Sequence, residues 1–438
     1  MTSELERRKQ ACEMYYYQKK RKVEIVRELS CSRTWLDRWL GRYEADRVEE
    51  SLSNAPVGSK SGPRGWSDQI YQQVLAMRRA RSQRDKQPYA LIGAQAIHYE
   101  LIALKSDEVP PVRTIHDWLV KADLVQANSA AGEKKEPKPI PLPVADQVNR
   151  LQQLDLKGPI YLRGSSDKYY LIVLRDRFSR RCAIGAVCNR QAQGIADFLV
   201  DRWRWLGLPD YLQMDNALEF RGANRYPRAF GRVVRVALDL GIEPIFNPPG
   251  EPWRNGCVER FNRFIDQHLL SIECADLQAL KDQAYLCQQT TNATHRLAAL
   301  EGLTPNQVAA QASLRFPPST YRRHQAKSLP QNTGFVSFVR LVRQSGRITL
   351  GASDRFMVDP ELAYTYVLAR VDLARQTVSI FQNQQLVIVY DFSPHTVGFW
   401  AFDYYSDPAF DQFFDPFDVS LSLALRPFNQ LCIAISCT

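Results

Sequence analysis

The sequence predicts a multidomain α/β protein: all-α units at the N-terminus, an α/β core in the middle and a small β-barrel near the C-terminus. Three observations carry this. Residues 3–125 place apolar positions at three- and four-residue steps, the helical period. From about residue 148, short apolar runs alternate with helical stretches, the order of a layered α/β domain. Residues 333–392 then alternate apolar and polar positions in short pieces separated by Gly, Asp and Asn. A chain of 438 residues exceeds what one core normally serves, so roughly three domains are expected.

In chain order, residues 3–45 read as three helices, the third starting after Ser32, whose hydroxyl can cap RTWLDRWLGRY. Ile25, Leu29, Leu36 and Trp39 form a small core, leaving Arg33, Thr34, Asp37 and Arg38 outward. That spacing fits a helix-turn-helix domain over 1–50, with Arg33, Thr34 and Arg38 touching DNA, or a plain amphipathic hairpin with a solvated face. A second copy over 63–125 favours the first reading. Its helices fall near 67–82, 90–104 and 112–122, and its VRTIHDWLV echoes SRTWLDRWL, making Arg113 and Thr114 the corresponding contacts. Arg78, Arg79, Arg81 and Arg84 give a basic run suited to phosphates, whereas His116 reads as a surface residue. A linker without periodicity spans 126–146.

The core, 147–275, carries the chemistry. Strands are expected at 151–157, 169–176, 180–188 and 211–215, helices at 192–206 and near 224–240, then a strand IEPIF. Asp155 stands on the first strand and Asp215 ends YLQMD. In the stretch 247–270, a Pro/Gly-rich loop passes at Asn255-Gly256 into a helix whose Val258, Phe261, Ile265 and Leu269 must face a core. Glu259 and Asn262 flank that stripe, three residues apart. Three acids on two strands and a helix can converge. Breaking or making a phosphodiester calls for stabilising an attacking and a leaving oxygen together, which two Mg²⁺ ions roughly 3.5 to 4 Å apart can do. Oxygen ligands suit Mg²⁺, or Mn²⁺ in its place.

The ordered set, Asp155, then Asp215-Asn216-x-x-x-Phe220, then Asn247-Pro248 leading to Asn255-Gly256-x-Val258-Glu259-Arg260-x-Asn262, resembles the catalytic core of DDE transposases and retroviral integrases, most of all bacterial insertion-sequence transposases. The resemblance implies a ribonuclease-H-like fold for 147–275, with Asp155, Asp215 and Glu259 as catalytic, metal-holding residues and Asn262 as the family's further asparagine. It departs in two places. Glu251, with 35 residues between it and Asp215, has the spacing common among relatives, whereas 43 separate Asp215 from Glu259. Glu259 is preferred because Gly250 and Pro252 leave Glu251 in a loop, and the surplus fits in RGANRYPRAFGR. Ala217 stands where relatives usually have Gly, which asks for a backbone without a left-handed residue there. Asp176, another acid at a strand end, reads as structural. Asn216, Arg254, Asn255, Arg260 and Asn262 are available to phosphates, and Trp253 either stacks on a base or pins its loop.

A helical connector follows over 276–330, with helix expected across 277–315 and Thr304 as a cap. The resemblance makes 331–393 an SH3-like barrel in which Arg340, Arg343, Arg347 and Arg355 contact DNA, unless the barrel merely packs. The aromatic, acidic tail 394–438 holds five Asp against one Arg, a charge of −4, which leaves +14 for the rest of a total of +10. The sequence assigns the tail no function. A basic body suggests a polyanionic partner. Nine Cys without Cys-x-x-Cys spacing, no secretory signal and no long apolar run point to reduced cytosolic thiols away from membranes, and the resemblance implies a bacterial, nucleoid-associated cytoplasmic protein. The His-His-Cys-Cys zinc module of retroviral integrases is not matched, since no His precedes His98, so no zinc is expected. The resulting expectation is a transposase acting on double-stranded DNA, both element ends and target, as a dimer or higher assembly. The rivals are a non-catalytic DNA-binding regulator descended from one and a nuclease that cuts without joining.

Overall fold

The structure, a computed structural model, describes residues 4–46, 49–53, 65–125, 138–222, 228–322, 333–351 and 354–394. The chain divides into two compact units, Met1–Ser67 and Asp68–Thr438. The first contains α1 (Glu4–Tyr16), α2 (Lys22–Glu28) and α3 (Arg33–Asp46). Ile25, Leu36 and Trp39 close its core with Ala11 and Met14. The Ser32 hydroxyl accepts the Trp35 N–H at 3.1 Å, the expected cap.

The second unit opens with α4 (Asp68–Ser82), α5 (Ala94–Ala103) and α6 (Val112–Lys121). These helices are tied into the body of that unit through Tyr89. Its ring is buried in the same apolar cluster as the later helices, and its hydroxyl donates to Gln283 Oε1 at 2.7 Å. Its carbonyl accepts from His295 Nε2 at 2.7 Å, and burial pushes that imidazole down to about 4. The basic run is largely consumed here. Arg78 donates to the Ile92 and Leu124 carbonyls, Arg81 to Leu91, and Arg84 to Gln267. Of the four, Arg79 and Arg84 remain exposed.

The core sheet begins with β1 (Leu151–Ile160), β2 (Tyr169–Asp176) and β3 (Cys182–Val187), an antiparallel meander. After α7 (Ala192–Leu206) comes β4 (Tyr211–Met214), parallel to β1; after α8 (Leu218–Arg221) and α9 (Arg232–Asp239) comes β5 (Glu243–Phe246), parallel to β4. Successive side chains on β2 go to opposite faces: Ile172 and Leu174 pack with α7 and α9, Leu171 and Val173 with α10 (Gly256–His268) and α11 (Leu277–Thr294). Helices on both faces give three layers. The expected helix over 277–315 stops at Thr294, where His295 turns extended at φ −73° and ψ 104°, and Glu301 at φ 52° and Gly302 at φ 85° then reverse the chain. It restarts as α12 (Pro305–Ala309), where Thr304 and Gln307 form a reciprocal cap.

The surplus between Asp215 and Glu259 leaves and re-enters at one point. The Gly231 N–H donates to the Arg221 carbonyl at 2.7 Å, and a Cβ on Gly222 would meet Gly231 N at 2.7 Å. Two glycines therefore let the chain close on itself there, and the insertion leaves β4 and β5 undisturbed.

The C-terminal strands correct one expectation. They are β6 (Phe335–Leu341), β7 (Arg347–Leu350), β8 (Asp354–Met357), β9 (Tyr366–Asp372), β10 (Thr377–Gln382) and β11 (Gln385–Asp391). β6 pairs in parallel with β5, Ile245 opposite Ser337 and Phe246 opposite Phe338. The result is one nine-stranded sheet in the order β11-β10-β9-β6-β5-β4-β1-β2-β3, with β7 and β8 as a separate hairpin packed on it through Ile348, Leu350 and Phe356. Among the described residues no ladder closes into a barrel. β5 leaves its outer edge unpaired, and the apolar run of β6 takes it, so the meander extends the core sheet and joins what were expected as separate core and barrel domains. The tail, 395–438, lies outside the described residues, as does 126–137 of the linker.

Candidate active site

Strand register brings the first two acids together. β1 and β4 run parallel with Gln153 opposite Gln213. Two residues further along each strand, on the same face, stand Asp155 and Asp215. Asp215 lies just past the end of β4, and its Oδ1 accepts the Ala217 N–H at 2.9 Å. Ala217 itself has φ −57° and ψ 144°, so this turn needs no left-handed residue and the missing glycine costs nothing.

The third element is α10. Val258, Phe261, Ile265 and Leu269 are buried against β2, β3 and α11, which fixes the rotation of the helix and sets Glu259 and Asn262 beside β1. Asn262 Nδ2 donates to Asp155 Oδ2 at 2.6 Å. Burial raises the Asp155 carboxyl above the ordinary aspartate value, while the Asn262 bond, the Leu156 N–H and Lys157 oppose the rise. Asp215 is raised first by burial and further by the charges of Asp155 and Glu219, against the Ala217 hydrogen bond. Glu259 is raised by burial and by Asp155, with Arg263 opposing. Asp155 is thus the charge felt by both others. Among the described residues no three His, Cys, Asp or Glu side chains stand close enough to form one metal-holding group. The charge of Asp155, which adds to the burial that raises Asp215 and Glu259, opposes their closing, and Glu259, on the first turn of α10, is the least buried of the three.

The donor chemistry fits a hard divalent cation. All three side chains offer oxygen, and Asn262 Oδ1 is buried with no hydrogen-bond partner among the described residues. An unclaimed acceptor beside a carboxylate suits a cation that keeps its waters, since those waters donate.

The other predicted contacts divide. Arg33, Thr34, Arg38, Arg113 and Arg260 are exposed and Thr114 is half-buried; Arg33 pairs with Asp37 and Arg113 with Asp117 along their helices. Trp253 is exposed on its loop. Four expected DNA contacts are spent inside the protein instead. Asn262 serves Asp155. Asn216 donates to the Asn247 carbonyl at 2.6 Å and accepts from Arg340 at 2.9 Å. Asn255 is 3% exposed and accepts from Asn247. Arg254 pairs with Glu251 at 2.9 Å and donates to the Lys138 carbonyl. Glu251 also accepts from the Tyr366 hydroxyl at 2.6 Å, so both its oxygens are occupied. Asp176 caps its own turn, accepting from the Asn149 and Ser179 N–H groups and the Ser179 hydroxyl.

Arg340 is a further correction. Read as a DNA contact, it is 4% exposed and donates to the Asn247 and Thr349 carbonyls as well as to Asn216. Burial among neutral acceptors pushes its guanidinium down to about 9. Sequence reasoning also missed Gln153, Gln213 and Asn247, buried amides joined to one another beneath the acids. One signal was available: Gln-Leu-Asp155 and Gln-Met-Asp215 repeat a Gln-x-Asp pattern at both strand ends.

Residues 145–252 match the integrase core domain family. Among solved structures, the chain is similar to the BIV integrase catalytic core domain at 18% identity, covering 37% of this chain and 95% of that one with a TM-score of 0.29. It is also similar to the HTLV-2 integrase catalytic core domain in complex with magnesium, at 18% identity over 38% of this chain and 99% of that one, again with a TM-score of 0.29. Among curated proteins none matches. The matched segment holds Asp155 and Asp215 on adjacent parallel strands and ends just before the helix of Glu259. Over residues 145–252, then, the chain carries a segment that matches the integrase core domain, which supports kinship with the DDE/integrase superfamily.

Proposed function

We propose that this protein is a DNA transposase of the bacterial insertion-sequence type, which hydrolyses the 3′ strand at each end of its own element and joins that end to target DNA. The observation that carries the reading is the β1–β4 register placing Asp155 beside Asp215, with Asn262 of the Glu259 helix bonded to Asp155. Asp155, Asp215 and Glu259 would hold two Mg²⁺ ions, or Mn²⁺, which supply Lewis-acid stabilisation of the attacking and leaving oxygens when bound. The protein's own contribution is placement. Asn262 holds Asp155 in one orientation, the Ala217 N–H fixes Asp215, and α10 carries Glu259 toward them. In the first reaction water attacks the phosphorus and the 3′ oxygen leaves; in the second that 3′ hydroxyl attacks a target phosphodiester and a target 3′ oxygen leaves, with no covalent protein intermediate.

End recognition falls to the two helical units, through Arg33, Thr34 and Arg38 on α3 and Arg113 and Thr114 on α6, each set lying at the start of its third helix. Arg260, exposed one residue past Glu259, would meet a phosphate near the acids. Cutting two ends together implies a dimer or larger assembly on DNA. The proposed place of action is the bacterial nucleoid, in the cytoplasm; no described helix is long and apolar enough to cross a membrane. The test is a gel assay with labelled element ends, Mg²⁺ and a plasmid target. Joined product is expected from the wild type, and none from Asp155→Asn, Asp215→Asn or Glu259→Gln, with end binding retained. Cutting without joining would make the protein a nuclease, binding alone would make it a regulator, and joining by Asp155→Asn would remove the acids from the mechanism.

A further inference from the structure

Beneath the three acids runs a closed circuit of side-chain amides. The Val258 N–H, in the first turn of α10, has no partner within its own helix and donates to Gln153 Oε1 at 3.0 Å. Gln153 Nε2 donates to Gln213 Oε1 at 2.8 Å. Gln213 Nε2 donates to Asn247 Oδ1 at 2.7 Å and reaches the Arg254 carbonyl at 3.3 Å. Asn247 Nδ2 donates to Asn255 Oδ1 at 2.8 Å, and Asn255 is the residue from which α10 starts. The path therefore leaves α10, crosses β1, β4 and β5, and returns to α10.

Its members are as buried as any core residue: Gln153 is 1% exposed, Gln213 0%, Asn247 1% and Asn255 3%. Burying four amides is costly unless every bond is made, and apolar residues would pack such positions more cheaply. Their placement accounts for the cost. Gln153 precedes Asp155 by two residues and Gln213 precedes Asp215 by two, so each amide lies on the same strand face as its acid. Val258 is the residue before Glu259. The Val258–Gln153 and Gln153–Gln213 links thus fix the backbone next to one acid against the backbone next to another, at distances that apolar packing, being non-directional, does not specify, and the two Asn247 links tie that frame back to the start of α10.

The geometry points to Gln153, Gln213 and Asn247 as positioning residues that set the spacing of Asp155, Asp215 and Glu259 and so the affinity of the site for divalent cations. This rests on the reading of those acids as the metal-holding set. Supports of this kind, one step removed from a metal, typically carry 10- to 100-fold in metal affinity or activity.

The test uses the full chain with Gln153→Met, Gln213→Met and the double variant, which keep volume and remove the amides. Free Mn²⁺ is followed by electron paramagnetic resonance during titration, and exchange of the backbone amides of 256–262 by mass spectrometry in metal-free buffer. Each single variant is expected to weaken Mn²⁺ binding about 10-fold or more and to speed exchange at the start of α10. The double variant is expected to lose no more than the worse single, because either cut opens the same circuit. Unchanged Mn²⁺ affinity with a lowered Tm would overturn the proposal by reducing the amides to packing, and multiplicative losses would overturn it by making the links independent. Should the wild type bind no Mn²⁺, the metal reading fails. The circuit is then judged by exchange alone, and unchanged exchange at α10 in Gln153→Met would overturn it too. Should a methionine variant fail to fold, Asn247→Ser, which shortens one link, is held to the same outcomes.

Discussion

Replacing Asn262 by Ala removes one hydrogen bond whose consequence can be worked through. Asn262 Nδ2 lies 2.6 Å from Asp155 Oδ2, a short contact to a carboxylate that burial already pushes toward its protonated form. The amide N–H favours the ionised carboxylate, so its loss moves the Asp155 pKa further up. A hydrogen bond to a charged group contributes about 1.5–3 kcal/mol, which at 1.36 kcal/mol per factor of ten is roughly a 10- to 150-fold loss wherever the step needs ionised Asp155. The sign fixes the pH dependence. Less of Asp155 is ionised at any given acidic pH, so the deficit is largest on the acid side and narrows as pH rises. Single-turnover cleavage of a labelled end across pH, at fixed Mg²⁺, measures it, with the acid limb displaced upward in the variant. A deficit constant at every pH, with the limb unmoved, would show that Asn262 does not act through the protonation of Asp155.

Three further outcomes are expected. The folded pKa of Asp215 is raised, so at that residue the folded state holds its proton more tightly than the unfolded chain, and stability is lost as pH rises through the folded value. Asp215→Asn is therefore expected to be more stable than the wild type in metal-free buffer at neutral pH and equal to it at pH low enough to protonate the wild-type acid; scanning calorimetry with EDTA across pH would expose the opposite order. Glu251→Gln should leave cleavage within a few-fold of the wild type, whereas Glu259→Gln abolishes it, because Glu251 is committed to Arg254 and Tyr366; equal losses in the gel assay would reinstate Glu251. Arg33→Ala and Arg113→Ala should each weaken binding to element ends and reduce the slope of log K against log salt by about 1 if each meets one phosphate, read by fluorescence anisotropy at several salt concentrations. Unchanged slopes would leave those exposed helix starts without a DNA role.

Much of the architecture was legible because local chemistry decides it. The apolar run of β2 was bounded as Tyr169–Asp176, and Ser32 and Thr304 cap the helices that follow them. The acids were legible through their neighbours: Val258 and Phe261 had to be buried, which left Glu259 beside the packed face. What escaped were polar residues whose partners lie far away in sequence. A Gln in a strand reads as a solvent-facing position, yet Gln153 meets Val258 and Gln213 across 105 and 60 residues. Arg78 and Arg81 read as a phosphate-binding run because charge is visible in a sequence, whereas the carbonyls that claim those guanidiniums are not. The open barrel has the same origin. Alternation along β6 shows that it is a strand but cannot say that its neighbour is β5, from a different expected domain.

That pairing decides how small the protein can be made. A fragment ending near residue 330 would keep all three acids but strip β5 of its outer neighbour, baring Ile245 and Phe246 as an apolar edge open to other chains. It would also remove Arg340, leaving the Asn216 and Asn247 acceptors beside Asp215 without their buried donor. A stand-alone catalytic fragment that stops before β6 would therefore come out of the cell clumped and inert, and the shortest well-behaved one must run on through β11 to Asp391.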